Sequence, residues 1–280
     1  MRMPAEAIWN QASAAIAFLS LVAILLLVSF ARRVWRARPN APPRCPLDRE
    51  ALLALGAALL ATILLTNALG LLAKRLLLLD TLEARVGFHV IGFALAYSLI
   101  FALVHHFLGE ARGAWRRAFG LSAGGWRRTS LAAAAGLLTV IVPAKLAGAA
   151  WHAWLVHMGA PLEPQPVVEW FLKLRDPRLV ALLVVLTVAV APVVEEALFR
   201  GIFHPFLRER FGPALGLTLG ALAFAGFHLH LPSLAPLFLL AVVLALTYEW
   251  SGNLAACMAL HAGFNALAVT GLLVRRAAES

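Results

Sequence analysis

Residues 179–200 read LVALLVVLTVAVAPVVEEALFR. Leu179 to Val194 carry no charge; then Glu195 and Glu196 stand side by side, and Arg200 follows four positions after the second acid. A helix needs about 20 mainly apolar residues to cross the hydrocarbon of a bilayer. The run continues to about Arg210, so it is long enough to cross. Ionisable groups inside such a run are unfavourable by about 2.5–3.5 kcal/mol each on insertion scales, so a pair of acids there asks for a reason.

The same apolar character extends over the chain. Of its 280 residues 62% are hydrophobic and 14% charged, against about 45–50% and about 25% in soluble domains. A soluble globule of this size has too little interior for so much apolar surface, and a chain this apolar is not disordered. The reading is all-α: a polytopic membrane protein of about eight transmembrane helices. The spans expected are 7–31, 51–73, 86–109, about 130–156 (interrupted by Pro143 and Lys145), 179–210, two helices within 211–248, and about 253–274. The turn His230-Leu-Pro-Ser-Leu-Ala-Pro236 divides the 211–248 run, because proline does not continue a helical ladder. Val167–Leu174 is expected as a short interfacial helix. The division expected is 1–178 for the N-terminal helices and loops, 179–274 for a catalytic core, and 275–280 for a short tail.

Charge gives an orientation. The net charge is +10, from 21 arginines and three lysines against 14 acids. The arginines flank apolar runs, as membrane topology requires, and lack the soluble aromatic-interleaved face of a nucleic-acid binder. The loop after the first span holds Arg32, Arg33, Arg36, Arg38, Arg44 and Arg49, and the loop after the third holds Arg112, Arg116, Arg117, Arg127 and Arg128. Cationic loops stay in the cytoplasm, so both termini are expected outside. The 7–31 run has its basic residues after it, the reverse of a secretory signal peptide, and is expected as a retained span. Trp9, Trp35, Trp115, Trp126, Trp151, Trp154, Trp170 and Trp250 all fall near expected span ends, where aromatic belts form. The composition suits an integral protein of a bacterial inner membrane. Cys45 and Cys257, one in a basic loop and one in a span, are not expected to form a disulfide framework.

The polar residues inside the spans concentrate in the C-terminal half. Glu196 and Arg200 are i,i+4 and share a face, whereas Glu195 points about 100° away and has no such partner in sequence. An unpaired carboxylate in apolar surroundings suits general acid–base work. The next helix carries Phe224-Ala-Gly-Phe-His228, and the last carries His261-Ala-Gly-Phe-Asn265. Counted from the turn at Gly212-Pro213, Glu195 and His228 lie at about 25 and 22 Å along their helices; His261 and Asn265 lie about 14 and 20 Å past Gly252. Three helices therefore bring Glu195, His228, His261 and Asn265 to similar depth. His89, His105, His106, His152, His157 and His230 lie near expected span ends or turns and read as structural.

Glu195-Glu196-x-x-x-Arg200, Phe224-x-x-x-His228 and His261-x-x-x-Asn265, in order on consecutive hydrophobic helices, resemble the three motifs of the CAAX-protease and bacteriocin-processing family of intramembrane peptidases. That family includes the type II prenyl endopeptidase. The resemblance covers 179–274, and Ser251-Gly252-Asn253-Leu254 is similar to the usual lead-in to the last motif. It implies an intramembrane endopeptidase acting on a membrane-associated protein or peptide. Glu195 would activate water with His228 as partner, His261 and Asn265 would stabilise the oxyanion, and Glu196 and Arg200, with Phe224, would support them. No cofactor is required on this reading. If zinc or another divalent metal is bound, Glu195, His228 and His261 are its ligands; no His-Glu-x-x-His helix is present. Two other readings stay open: a transporter or channel built on the buried acids and histidines, and a non-catalytic scaffold or immunity protein of the same fold.

Overall fold

The computed structural model describes residues 28–29, 31–32, 44–76, 81–108, 116, 119–121, 125–160 and 162–279. The described residues are helical with no strand among them, and the chain is an all-α polytopic membrane protein. In chain order the helices are α1 Arg49–Leu76, α2 Leu82–Leu108, α3 Gly125–His157, α4 Pro166–Lys173, α5 Pro177–Phe211, α6 Pro213–Phe227, α7 Leu234–Ser251 and α8 Leu254–Glu279. Local signals set their ends. The Asp48 carboxylate accepts from the Ala51 N–H at 2.8 Å, and the Asp176 carboxylate accepts from the Arg178 N–H at 2.8 Å, each capping a helix N-terminus. Gly252, with φ of 62°, ends α7 and donates its N–H to Tyr248 at 2.8 Å. Asn253 then caps α8 through the Ala255 N–H at 2.9 Å.

Six of these helices are long and apolar enough to cross a membrane; α6, with 15 residues, is not. The count of eight spans is therefore not reached among the described residues. The expected 7–31 span falls outside them except at its last few positions, as do Trp9, Trp35 and Trp115. Two other expectations change. α3 runs unbroken through Pro143, which is buried; in a membrane helix the freed backbone group is satisfied by neighbouring structure, so proline is tolerated. Residues 275–279 continue α8 and form no separate tail.

α7 sits at the centre, fully buried over most of its length, with α3, α5, α6 and α8 around it. Small residues permit the close approaches. A Cβ on Gly136 of α3 would collide with Leu260 and Thr247, and one on Gly216 of α6 would come within 2.6 Å of the Arg208 backbone nitrogen in α5. Leu53, Leu60, Leu64, Leu95 and Leu138 remain exposed on the outer faces, which lipid covers. Beside this core, α4 tucks Trp170 and Phe171 against Val86 and Val90 of α2, Leu183 of α5 and Val269 of α8. Its outer face carries the exposed Glu169–Lys173 pair at 2.7 Å, and the lysine holds the Glu169 carboxyl below its usual range.

Candidate active site

The helix that carries the two glutamates is not a uniform α-helix. It widens into π turns at Leu186–Val190 and Phe199–Phe203, either side of Glu195 and Glu196. Proline follows each turn, at Pro192 and Pro205. Proline has no N–H to give to the preceding turn and crowds its carbonyls, and single π turns are the way a helix absorbs such a defect. The first turn has a direct consequence. The Ala191 N–H donates to Leu186, and Pro192 has no N–H for Thr187. The open Thr187 carbonyl accepts instead from Asn265 Nδ2 at 2.9 Å.

The second turn keeps an i,i+4 series on one face. In a regular helix each step of four overshoots a full turn by about 40°; the wider turn at Phe199–Phe203 offsets the drift between Glu196, Arg200, His204 and Arg208. All four face α7 or α8. Arg200 Nη1 donates to Glu196 Oε1 at 2.9 Å and Nη2 to the Ala241 carbonyl at 3.1 Å. The guanidinium also lies over the Phe224 ring, 4.4 Å from its centroid, a cation–π contact in a dry setting. Glu196 is wholly buried, and its Oε1 also accepts from His261 Nδ1 at 2.9 Å. That bond fixes the imidazole and leaves Nε2 4.0 Å from Glu195 Oε2.

Glu195 keeps 16% of its side-chain surface and does have a partner. The Tyr97 hydroxyl of α2 donates to its Oε1 at 3.2 Å. His228 caps α6 and donates Nδ1–H to the Phe224 carbonyl at 2.9 Å, so in the neutral ring Nε2 is the acceptor. Phe224 stands between the two histidines, with ring centroids 5.0 Å from His228 and 5.7 Å from His261. His228, His261 and Asn265 line one cavity of about 360 Å³, together with Tyr97, Thr187 and the inner face of α4. Glu195 reaches it through Tyr97 and His261.

Of the four residues expected together, His228, His261 and Asn265 line one cavity, Glu195 lies beside His261 without lining it, and the Glu196–Arg200 pair is made. The alternative zinc set is less well gathered. His261 Nδ1 is taken by Glu196, and its Nε2 is 4.0 Å from Glu195 Oε2, where two donors on one tetrahedral zinc sit about 3.3 Å apart at the usual bond lengths. Among the described residues no three His, Cys, Asp or Glu side chains are placed to hold a metal ion. As arranged, these side chains are not placed as ligands of one zinc ion.

Two features escape a reading of the sequence. Tyr97 is 98 positions from Glu195, and nothing local marks it. The second is a buried cluster on the far side of Arg200. His204 Nε2 lies 3.1 Å and Arg208 Nε 2.8 Å from Glu249 Oε1, with His204 and Glu249 both buried. Glu249 and His204 are ionisable groups at the margins of apolar runs, which is the signal that marks them. His230, read as structural, is bound at both ring nitrogens: Nδ1 to Ser233 Oγ and Nε2–H to the Glu163 carbonyl, each at 2.8 Å. With Trp151 Nε1 donating to Leu231 at 2.8 Å, it pins the turn after His228, where Leu229 adopts φ of 48°.

Helices that bring two histidines and an asparagine to one cavity, with a carboxylate beside them, define a polytopic membrane protein with a polar site among apolar helices. Residues 177–267 match the family model for type II CAAX prenyl endopeptidase Rce1-like proteins. The match spans roughly a third of the chain, holds all three motifs, and bears out the family resemblance that they carry. No curated protein and no solved structure matches the chain.

Proposed function

We propose that the protein is an intramembrane endopeptidase that hydrolyses a peptide bond of a membrane-associated, CAAX-like substrate, with a water activated by Glu195. The observation that carries this reading is the division of labour between the adjacent acids. Glu196 is buried and taken by Arg200 and His261, whereas Glu195 stays partly accessible, with Oε2 4.0 Å from His261 Nε2 and beyond hydrogen-bond range of it. The match over residues 177–267 supports the endopeptidase class.

A water between Glu195 and His228 gives its proton to Glu195 as its oxygen attacks the scissile carbonyl. Negative charge develops on the carbonyl oxygen, and donors aimed there supply the largest stabilisation in such sites. Asn265 gives one N–H to Thr187 and keeps the other for this purpose. His261, with Nδ1–H directed at Glu196, offers Nε2–H when it is the imidazolium. Glu195 then passes the proton to the leaving amine as the C–N bond breaks. A low-dielectric surrounding strengthens each of these interactions. Glutamate as base requires no metal.

Purified protein in detergent, given fluorogenic peptides ending in a CAAX sequence with and without a lipid on the cysteine, tests the reading. Cleavage that survives strong chelators is expected. No cleavage, together with ion flux in liposomes, would favour a transporter; cleavage that follows zinc loss and restoration would replace the glutamate base by a metal.

A further inference from the structure

Glu195 has two carboxylate oxygens in different surroundings. Oε1 accepts from the Tyr97 hydroxyl at 3.2 Å, and Oε2 faces His261 Nε2 across 4.0 Å, beyond hydrogen-bond range. Tyr97 comes from α2, outside the 177–267 segment of the family match. Its ring is steadied by Phe93 one turn earlier, stacked at 6.1 Å with an interplanar angle of 21°. Both α2 side chains line the cavity that holds His228, His261 and Asn265.

We propose that Tyr97 is a positioning residue for the hydrolysis assigned to this site: it occupies Glu195 Oε1 and so presents Oε2 to the attacking water. The inference rests on the endopeptidase reading. A carboxylate free to rotate about its last bond offers either oxygen in many orientations. One donor on one oxygen removes that freedom and leaves the other facing His261, which lines the cavity. The N-terminal half thereby completes a site whose motifs all lie in the C-terminal half. The groups that face Glu195 are Tyr97 from α2 and His261 from α8, with Glu196 and Arg200 behind His261 and His228 across the cavity from α6.

Tyr97→Phe keeps the ring and its packing and deletes only the donor. With a peptide that the wild type cleaves and Glu195→Gln does not, kcat falls about tenfold or more in Tyr97→Phe, the size expected for a hydrogen bond to a charged group. KM and the melting temperature stay at wild-type values. An infrared difference spectrum against Glu195→Gln, taken in both backgrounds, isolates the Glu195 carboxyl band, and that band moves when Tyr97 loses its hydroxyl. 3-Fluorotyrosine incorporated at position 97 keeps the fold and strengthens the donor, so it moves the band without loss of structure. A kcat within twofold of wild type, or an unmoved band in either variant, overturns the role of Tyr97 and leaves the endopeptidase reading intact. A wild type that cuts no peptide, or a Glu195→Gln that cuts normally, removes that reading and the proposal with it.

Discussion

Glu196 Oε1 accepts from His261 Nδ1 at 2.9 Å and, from the other side, from Arg200 Nη1 at the same distance. One carboxylate oxygen thus joins the first motif to the third and orients the imidazole that faces Glu195. Glu196→Gln preserves shape and an oxygen but removes the charge that holds both donors. Loss of a charge-assisted hydrogen bond is worth about 1.5–3 kcal/mol, so kcat is expected to fall about 10- to 100-fold with KM little changed. Steady-state kinetics in detergent check it; a wild-type kcat would mean that His261 does not depend on Glu196.

Arg200 is a different case. It satisfies Glu196, the Ala241 carbonyl and the face of Phe224 at once. Arg200→Ala leaves Glu196 charged and buried, a loss of about 3–5 kcal/mol, so the yield of folded protein and its melting temperature should fall with activity. Lysine does not rescue it, because a single ammonium cannot span Glu196 and Ala241 as the guanidinium does. An inactive Arg200→Ala of wild-type stability would instead place Arg200 on the substrate.

Asn265 joins structure and chemistry in one side chain. Asn265→Ala removes an oxyanion donor, for which turnover should drop about 10²–10³-fold. It also leaves the Thr187 carbonyl open, with a stability loss of about 1–3 kcal/mol if that carbonyl stays dry. Turnover and thermal unfolding measured on one preparation separate the two effects. Lost turnover with no fall in stability would mean that another donor fills the Thr187 carbonyl.

The parts of this arrangement that are written locally can be read from the sequence, and the parts that depend on folding cannot. Glu196 and Arg200 meet because four residues make about one turn, and rise per residue is enough to bring His228, His261 and Asn265 to one level. Pro192 and Pro205 mark the π turns in principle, but a period of 3.6 gives no sign that the helix survives them. Pro143 shows the opposite error: read as an interruption, it sits inside a continuous helix. Tyr97 meets Glu195 only because α2 packs beside α5, a contact that no local spacing encodes.

The His204–Glu249–Arg208 cluster makes a contrasting prediction. Glu249 is buried, and its partners are His204 and Arg208, none of the three lining the cavity. Glu249→Ala strands His204 in the core and should destabilise the protein by about 3–5 kcal/mol, while the kcat of the molecules that remain folded stays near wild type. Thermal unfolding together with active-site titration decides it. A specific loss of kcat at unchanged stability would tie this cluster to the chemistry.

The most direct test is the turnover of Glu195→Gln beside its melting temperature. The exchange is nearly isosteric, keeps an oxygen for the Tyr97 hydroxyl and removes only the proton acceptor. Cleavage abolished in a protein that melts with the wild type is the expected result. Cleavage retained by a folded Glu195→Gln would contradict the account at its centre, because no base would then stand where the water must lose its proton.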